Sequence, residues 1–113
     1  MTAEERQFLK TAAWMFARHG QKPRAAAVCA ALCEDDPRDG TAAAAYASLL
    51  LESGDAAHAL TVLRAADFPQ TLAHAQAVLE TRALRLSGRV ADADSRWSRY
   101  VESRKGGARR WLA

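Results

Sequence analysis

Glycine returns at a fixed step along this chain: Gly20, Gly54 and Gly88 lie thirty-four residues apart. The same step relates Ala25, Ala59 and Ala93, then Phe16, Leu50 and Leu84, then Cys29, Leu63 and Trp97, and also the small series Ala13, Ala47 and Thr81. One coincidence carries little weight, but five in one phase mark an internal repeat. A unit of that length is one pair of helices, too small to bury its own apolar face, so it must stack on a neighbour.

Each register position has a physical task. The glycines stand where a helix stops, because glycine enters the left-handed backbone region at little cost. His19, Ser53 and Ser87 then end the first helix of each pair. The alanines five residues later allow the returning helix to approach closely, and Phe16, Leu50 and Leu84 supply bulk between the paired helices. The spacing predicts helices over Ala3 to His19, from Pro23 to before Pro37, Gly40 to Ser53, Asp55 to Ala66, beyond Phe68-Pro69 to Ser87, and Val90 to Arg104. Thr2, with Glu5 three residues on, opens the first. Asp55 caps the fourth, and Pro23 sits in the first turn of the second. Gly106-Gly107 is expected to end the sixth, leaving residues 108–113 as a capping turn or a frayed tail.

Composition agrees. Half of the 113 residues are apolar and only 7% are aromatic. Most of the apolar share is alanine and leucine, which lose little side-chain freedom in a helix, whereas strands favour β-branched and aromatic residues. The length fits a single domain over 1–113. No eighteen-residue apolar run is present, so no membrane insertion is expected. The N-terminus, with Glu4 and Glu5, lacks a signal-like apolar core, and a cytoplasmic location is expected. The net charge of +3 is uneven: nine of the sixteen Lys and Arg residues lie from Arg82 onward.

Repeat length and register resemble the tetratricopeptide family. Its bulky residue, Leu-Gly and Tyr pattern is approximated by Leu9, Ala12-Ala13 and Phe16, then by Ala43, Tyr46-Ala47 and Leu50. Its Ala-x-x-x-Phe element appears as Ala25 to Cys29, Ala59 to Leu63 and Ala93 to Trp97, and Pro37 stands for the closing proline. The third unit departs, with Glu80 and Thr81 in place of Leu-Gly. The resemblance implies an all-α fold of three helix-turn-helix repeats, about residues 6–37, 40–71 and 74–105, forming a short right-handed solenoid with a concave groove. It speaks to fold and not to function.

Reactive constellations are sparse. Cys29 and Cys33 share a helix face, but tetrahedral zinc needs four ligands and no second pair is spaced to supply them. Cys29 also sits in a packing register, where a thiol acts as a small hydrophobe. His19, His58 and His74 fall in different registers. No phosphate loop and no nucleophile–base pattern occurs, so neither an enzyme, a metal nor a cofactor is expected. The arginines from Arg82 onward are interrupted by acids and lack a stacking platform of aromatics, which argues against nucleic acid.

In tetratricopeptide proteins the first helix of each pair lines the groove. That resemblance implies a groove formed by Lys10, Trp14, Ala17 and Arg18, by Ala44, Ser48 and Leu51, and by Val78, Arg82 and Arg85, suited to an amphipathic helix. The carboxylate clamp of heat-shock adaptors is missing, since Trp14 and Ala45 replace its asparagines and Ala75 and Leu79 its basic pair. The chain is more similar to the small type III secretion chaperones, in particular those of the needle subunit. The residues that carry this likeness are Gly54-Asp55-Ala56-Ala57-His58-Ala59-Leu60, Phe68-Pro69 and Arg82 through Gly88. The resemblance implies a groove that holds an amphipathic helix of the secreted subunit, and a second small co-chaperone beside it. A translocator-type chaperone and a general adaptor are the alternatives. The former usually carries an N-terminal extension, against which the short leader here argues. Trp97, Tyr100 and Trp111 are expected to form an apolar C-terminal surface for a cap, a partner or self-association.

Overall fold

In the computed structural model, which describes the backbone of residues 1–112 and the side chains of residues 1–106, the chain is all-helical. Its elements are α1 (Ala3–Arg18), α2 (Lys22–Asp35), α3 (Gly40–Glu52), α4 (Ala56–Ala65), α5 (Ala73–Leu86) and α6 (Val90–Leu112), with a 3-10 turn at Gln70–Leu72. Among the described residues there is no strand, only an isolated bridge between Asp39 and Asp67.

The helix boundaries keep the sequence period. The odd helices end at Arg18, Glu52 and Leu86, and the following even helices begin at Lys22, Ala56 and Val90. Gly20, Gly54 and Gly88 have φ of 74, 88 and 80°, and no other described residue has positive φ. At each joint the same two hydrogen bonds close the helix. Gln21, Asp55 and Arg89 donate their N–H to the carbonyls of Phe16, Leu50 and Leu84 at 2.8, 2.9 and 2.9 Å, and each glycine N–H bonds the carbonyl three residues back. This is the Schellman arrangement, which satisfies carbonyls left open at a helix end.

Each helix packs on its sequence neighbour, and α3 also packs on α5. Ala25, Ala59 and Ala93 are fully buried, as their register requires. The core lies around α3, α4 and α5, with Leu51, Leu60, Leu63, Leu79 and Leu84 in one buried cluster. Thr2 accepts from the Glu5 N–H at 3.1 Å, and Asp55 from the His58 N–H at 3.3 Å. Both caps were expected from the sequence. Asp39 does the same for α3, accepting from Ala42 at 3.1 Å.

Two expectations need correction. The sixth helix does not stop at Gly106-Gly107 but continues to Leu112; two glycines lower helix propensity by only about 1 kcal/mol each, and no proline follows to break the ladder. Trp97 does not share the burial of Cys29 and Leu63, being 38% exposed, because no helix among the described residues covers that face of α6. Thr81 fills the alanine register of the third unit and is buried, with its hydroxyl unpartnered.

Candidate functional site

The most informative comparison is between the two gaps that separate successive odd helices. Between α3 and α5 the gap is closed: Leu51 and Leu79 are 4% and 9% exposed and belong to the same buried cluster as Ala47 and Ala83. One repeat earlier, those two leucines correspond to Ala17 and Ala45. There the helices α1 and α3 make no comparable contact, and a cleft of about 430 Å³ lies open between them. The missing volume of two leucine side chains, at matched places on facing helices, is what leaves it unfilled.

The cleft is built from three helices. From α1 come Lys10, Ala13, Trp14 and Ala17; from α3, Thr41, Ala42, Ala45, Ser48, Leu49 and Glu52. Buried Cys29 and Leu32 of α2 form the floor. Trp14 is the dominant wall: it is 58% exposed, and the Arg18 guanidinium lies 4.8 Å from the centre of its ring, a cation–π contact. Charge sits at the ends of the cleft and is already paired. Lys10 bonds Asp39 at 2.8 Å, and Lys22 bonds Glu52 at 2.6 Å.

Of the residues expected to line a groove, Lys10, Trp14, Ala17 and Ser48 come together here, with Arg18 stacked on the Trp14 wall. The others do not. Leu51 is core, and Ala44 packs against the same buried cluster. Val78, Arg82 and Arg85 do not line the cleft, and Arg85 pairs with Asp94 at 3.2 Å. Lys10 is likewise committed to Asp39 rather than left free for a guest. The cause is geometric. A thirty-four-residue shift carries a side chain to the same direction on the next odd helix, whereas a cleft between neighbours is lined by opposite directions. Ala44 and Leu51 of α3, which correspond to Lys10 and Ala17, therefore turn into the core toward α5, while Thr41, Ala45 and Glu52 line the cleft with α1 and Ser48, which corresponds to Trp14, lies at its border. Comparing Ala17 with Leu51 and Ala45 with Leu79 was the available signal.

The thiols take no reactive form. Burial pushes Cys29 up, and burial followed by the neighbouring Cys29 and Asp39 pushes Cys33 up to about 11. Both are neutral near pH 7 and suit a packing role. Among the described residues no group of three or more His, Cys, Asp and Glu side chains is disposed to hold a metal, and no helix is long and apolar enough to cross a membrane.

Near the C-terminal end, the expected aromatic surface turns partly inward on itself. Trp97 and Tyr100 have ring centres 5.5 Å apart, and His74 of α5 packs against both, its Nδ1 3.1 Å from the Tyr100 hydroxyl. The side chain of Trp111 lies outside the described residues. A shallow polar depression of about 650 Å³ adjoins this cluster, but Arg96 there is bound to Glu80 and Tyr100 to His74. The α1/α3 cleft, apolar and walled by the largely exposed Trp14, is the better-formed site for a guest. No family model, curated protein or solved structure matches this chain.

Proposed function

We propose that the chain is a tetratricopeptide-like solenoid that binds an apolar helix of a protein partner in the α1/α3 cleft. We further propose that it acts as a small cytoplasmic chaperone of the type III secretion kind, keeping a needle-type subunit from self-association. The observation that carries the binding reading is the contrast between the two gaps. One is sealed by Leu51 and Leu79, while the other, with Ala17 and Ala45, is left as a trough floored by Leu32 and walled by Trp14. A trough of small residues beside an exposed tryptophan suits the ridge of large apolar side chains on one face of an amphipathic helix. Small side chains let the guest backbone approach, and the tryptophan supplies contact area at low entropic cost. The secretion reading draws its support from the repeat and the motifs around Gly54 and Gly88.

The test is co-purification of a tagged chain with products of the genes flanking its own, comparing the wild type with Ser48→Arg. Ser48 lines the cleft and is half-buried, so an arginine there fills the trough with a charge. The expected result is a bound small secreted subunit, lost in the variant while the far-ultraviolet circular dichroism stays unchanged. Retention of the partner by Ser48→Arg would rule out the cleft. A partner unrelated to secretion would leave the binding reading standing and remove the chaperone assignment.

A further inference from the structure

The outward face of α1 matches itself under a twofold rotation. Phe8 is 72% exposed and Met15 is 49% exposed; seven residues apart, they stand two turns along one side of the helix. Thr11 and Ala12, the small residues between them, mark the midpoint. A rotation about that midpoint exchanges Phe8 with Met15, Glu5 with Arg18, and Glu4 with His19. All eight residues lie within the same half of the helix circumference, pointing away from the cleft residues Ala13 and Ala17. Glu4, Glu5, Arg18 and His19 form no salt bridge among the described residues, although Arg18 stacks on Trp14 at the edge of this face.

We propose that this face is an interface between two copies of the chain, with α1 packed antiparallel on α1 of the second copy. In that arrangement each Phe8 lies against a Met15, a favourable sulfur–aromatic contact. The small pair Thr11-Ala12 at the crossing lets the two backbones come close. Acidic first turns meet basic last turns, with Glu4 of each copy facing Arg18 of the other and Glu5 facing His19. A twofold interface must be self-complementary, with residue i on j and j on i, and this face meets that condition in both apolar and charged positions. The cleft remains open in the dimer, so the inference stands apart from the proposed function. A single helix pair buries little area, below the roughly 1,200 Å² of standard interfaces, and the dimer is accordingly weak, with a dissociation constant in the micromolar range or above.

Sedimentation equilibrium of the full chain at low salt, from about 10 μM to 1 mM, tests this. The wild type is expected to show a monomer–dimer equilibrium. Phe8→Glu removes two apolar contacts per dimer and is expected to raise the dissociation constant more than about 100-fold. Glu4→Lys and Arg18→Glu each turn two attractions into repulsions and are expected to raise it about tenfold. The double variant restores opposite charges across the axis and returns it to within about threefold of wild type. Circular dichroism checks that each variant is folded; if Phe8→Glu is not, the charge exchange decides. A chain that stays monomeric at 1 mM, meaning that another protein covers the face, overturns the inference. So does a double variant no better than its singles.

Discussion

Arg6 and Asp39 are thirty-three residues apart in sequence, and their side chains meet at 2.6 Å. The same carboxylate bonds Lys10 at 2.8 Å and caps α3 through Ala42, while the Arg6 guanidinium reaches Asp35 at 2.6 Å. Asp39 thereby fastens α1, which among the described helices packs chiefly on α2, to the entry of α3. The planar guanidinium gives one nitrogen to each carboxylate, Nη1 to Asp35 and Nη2 to Asp39, which makes the link directional.

Burial raises the Asp39 pKa, but Lys10, Arg6 and the Ala42 N–H outweigh it and hold the carboxyl at about 2, below its ordinary 3.8. A carboxyl lowered on folding stabilises the fold fully above its unfolded pKa, and that contribution is lost as pH falls toward the folded value. Chemical denaturation between pH 5 and 2 is expected to show about 2 kcal/mol of stability disappearing below about pH 4. Asp39→Asn keeps a competent cap but not the charge. It is expected to cost about 2 kcal/mol at pH 7 and to flatten that acid limb.

Filling the cleft has opposite effects on stability and on binding. Ala17→Leu with Ala45→Leu copies the pair that seals the α3/α5 gap and is expected to stabilise the fold by about 2 kcal/mol. The same variant is expected to lose the partner helix. Thermal melting and co-purification read the two effects together; a double variant that is less stable and still binds would contradict the account of the trough.

The buried Thr81 hydroxyl without a partner is a local defect of the third unit. Thr81→Val keeps shape and branching while replacing the hydroxyl by a methyl. A gain of about 1 kcal/mol in urea unfolding is expected, and a loss of similar size would show that the hydroxyl is bonded in solution.

Two glycines are needed for different reasons, and alanine separates them. At Gly54 a Cβ would meet nothing within 4 Å, but φ is +88°, so Gly54→Ala costs backbone strain alone, about 1 kcal/mol. At Gly40 φ is ordinary, yet a Cβ would stand 2.6 Å from the Asp67 carbonyl oxygen and 3.2 Å from the Phe68 ring. Gly40→Ala must push the α4–α5 connection aside and is expected to cost about 2–3 kcal/mol. Denaturation midpoints of the two variants give the ordering.

The helical pairs were legible because their joints depend on one residue type in one conformation: a left-handed turn at Gly20, Gly54 and Gly88 leaves a mark that survives any change in the helices between. The cleft was only half legible. Trp14 and Ser48 were found from the register, but Leu51 was mistaken for groove because the register reports direction along the stack and not which neighbour is near. That depends on side-chain volume across the gap, a property of residue pairs such as Ala17 with Ala45. The course of α6 through Gly106-Gly107 was missed because propensity is a small energy beside the cooperativity of a helix already nucleated on α5. The Arg6–Asp39 link left no periodic trace, since it joins a terminal helix to a turn and occurs once.

The identical hydrogen-bonded joints at Gly20, Gly54 and Gly88 make this a chain of interchangeable parts. Duplicating residues 39–72 in tandem would add a fourth pair whose internal joint is the one at Gly54, leaving only the passage from Leu72 to the second Asp39 to be formed anew. Because the duplicate brings its own Leu51 and Ala45, the added seam would join a leucine to an alanine, a lining intermediate between the open and the sealed gaps. Length and capacity are in this sense separately adjustable: the glycines govern how many units can be strung together, and two side chains per seam govern whether that seam has room for a guest.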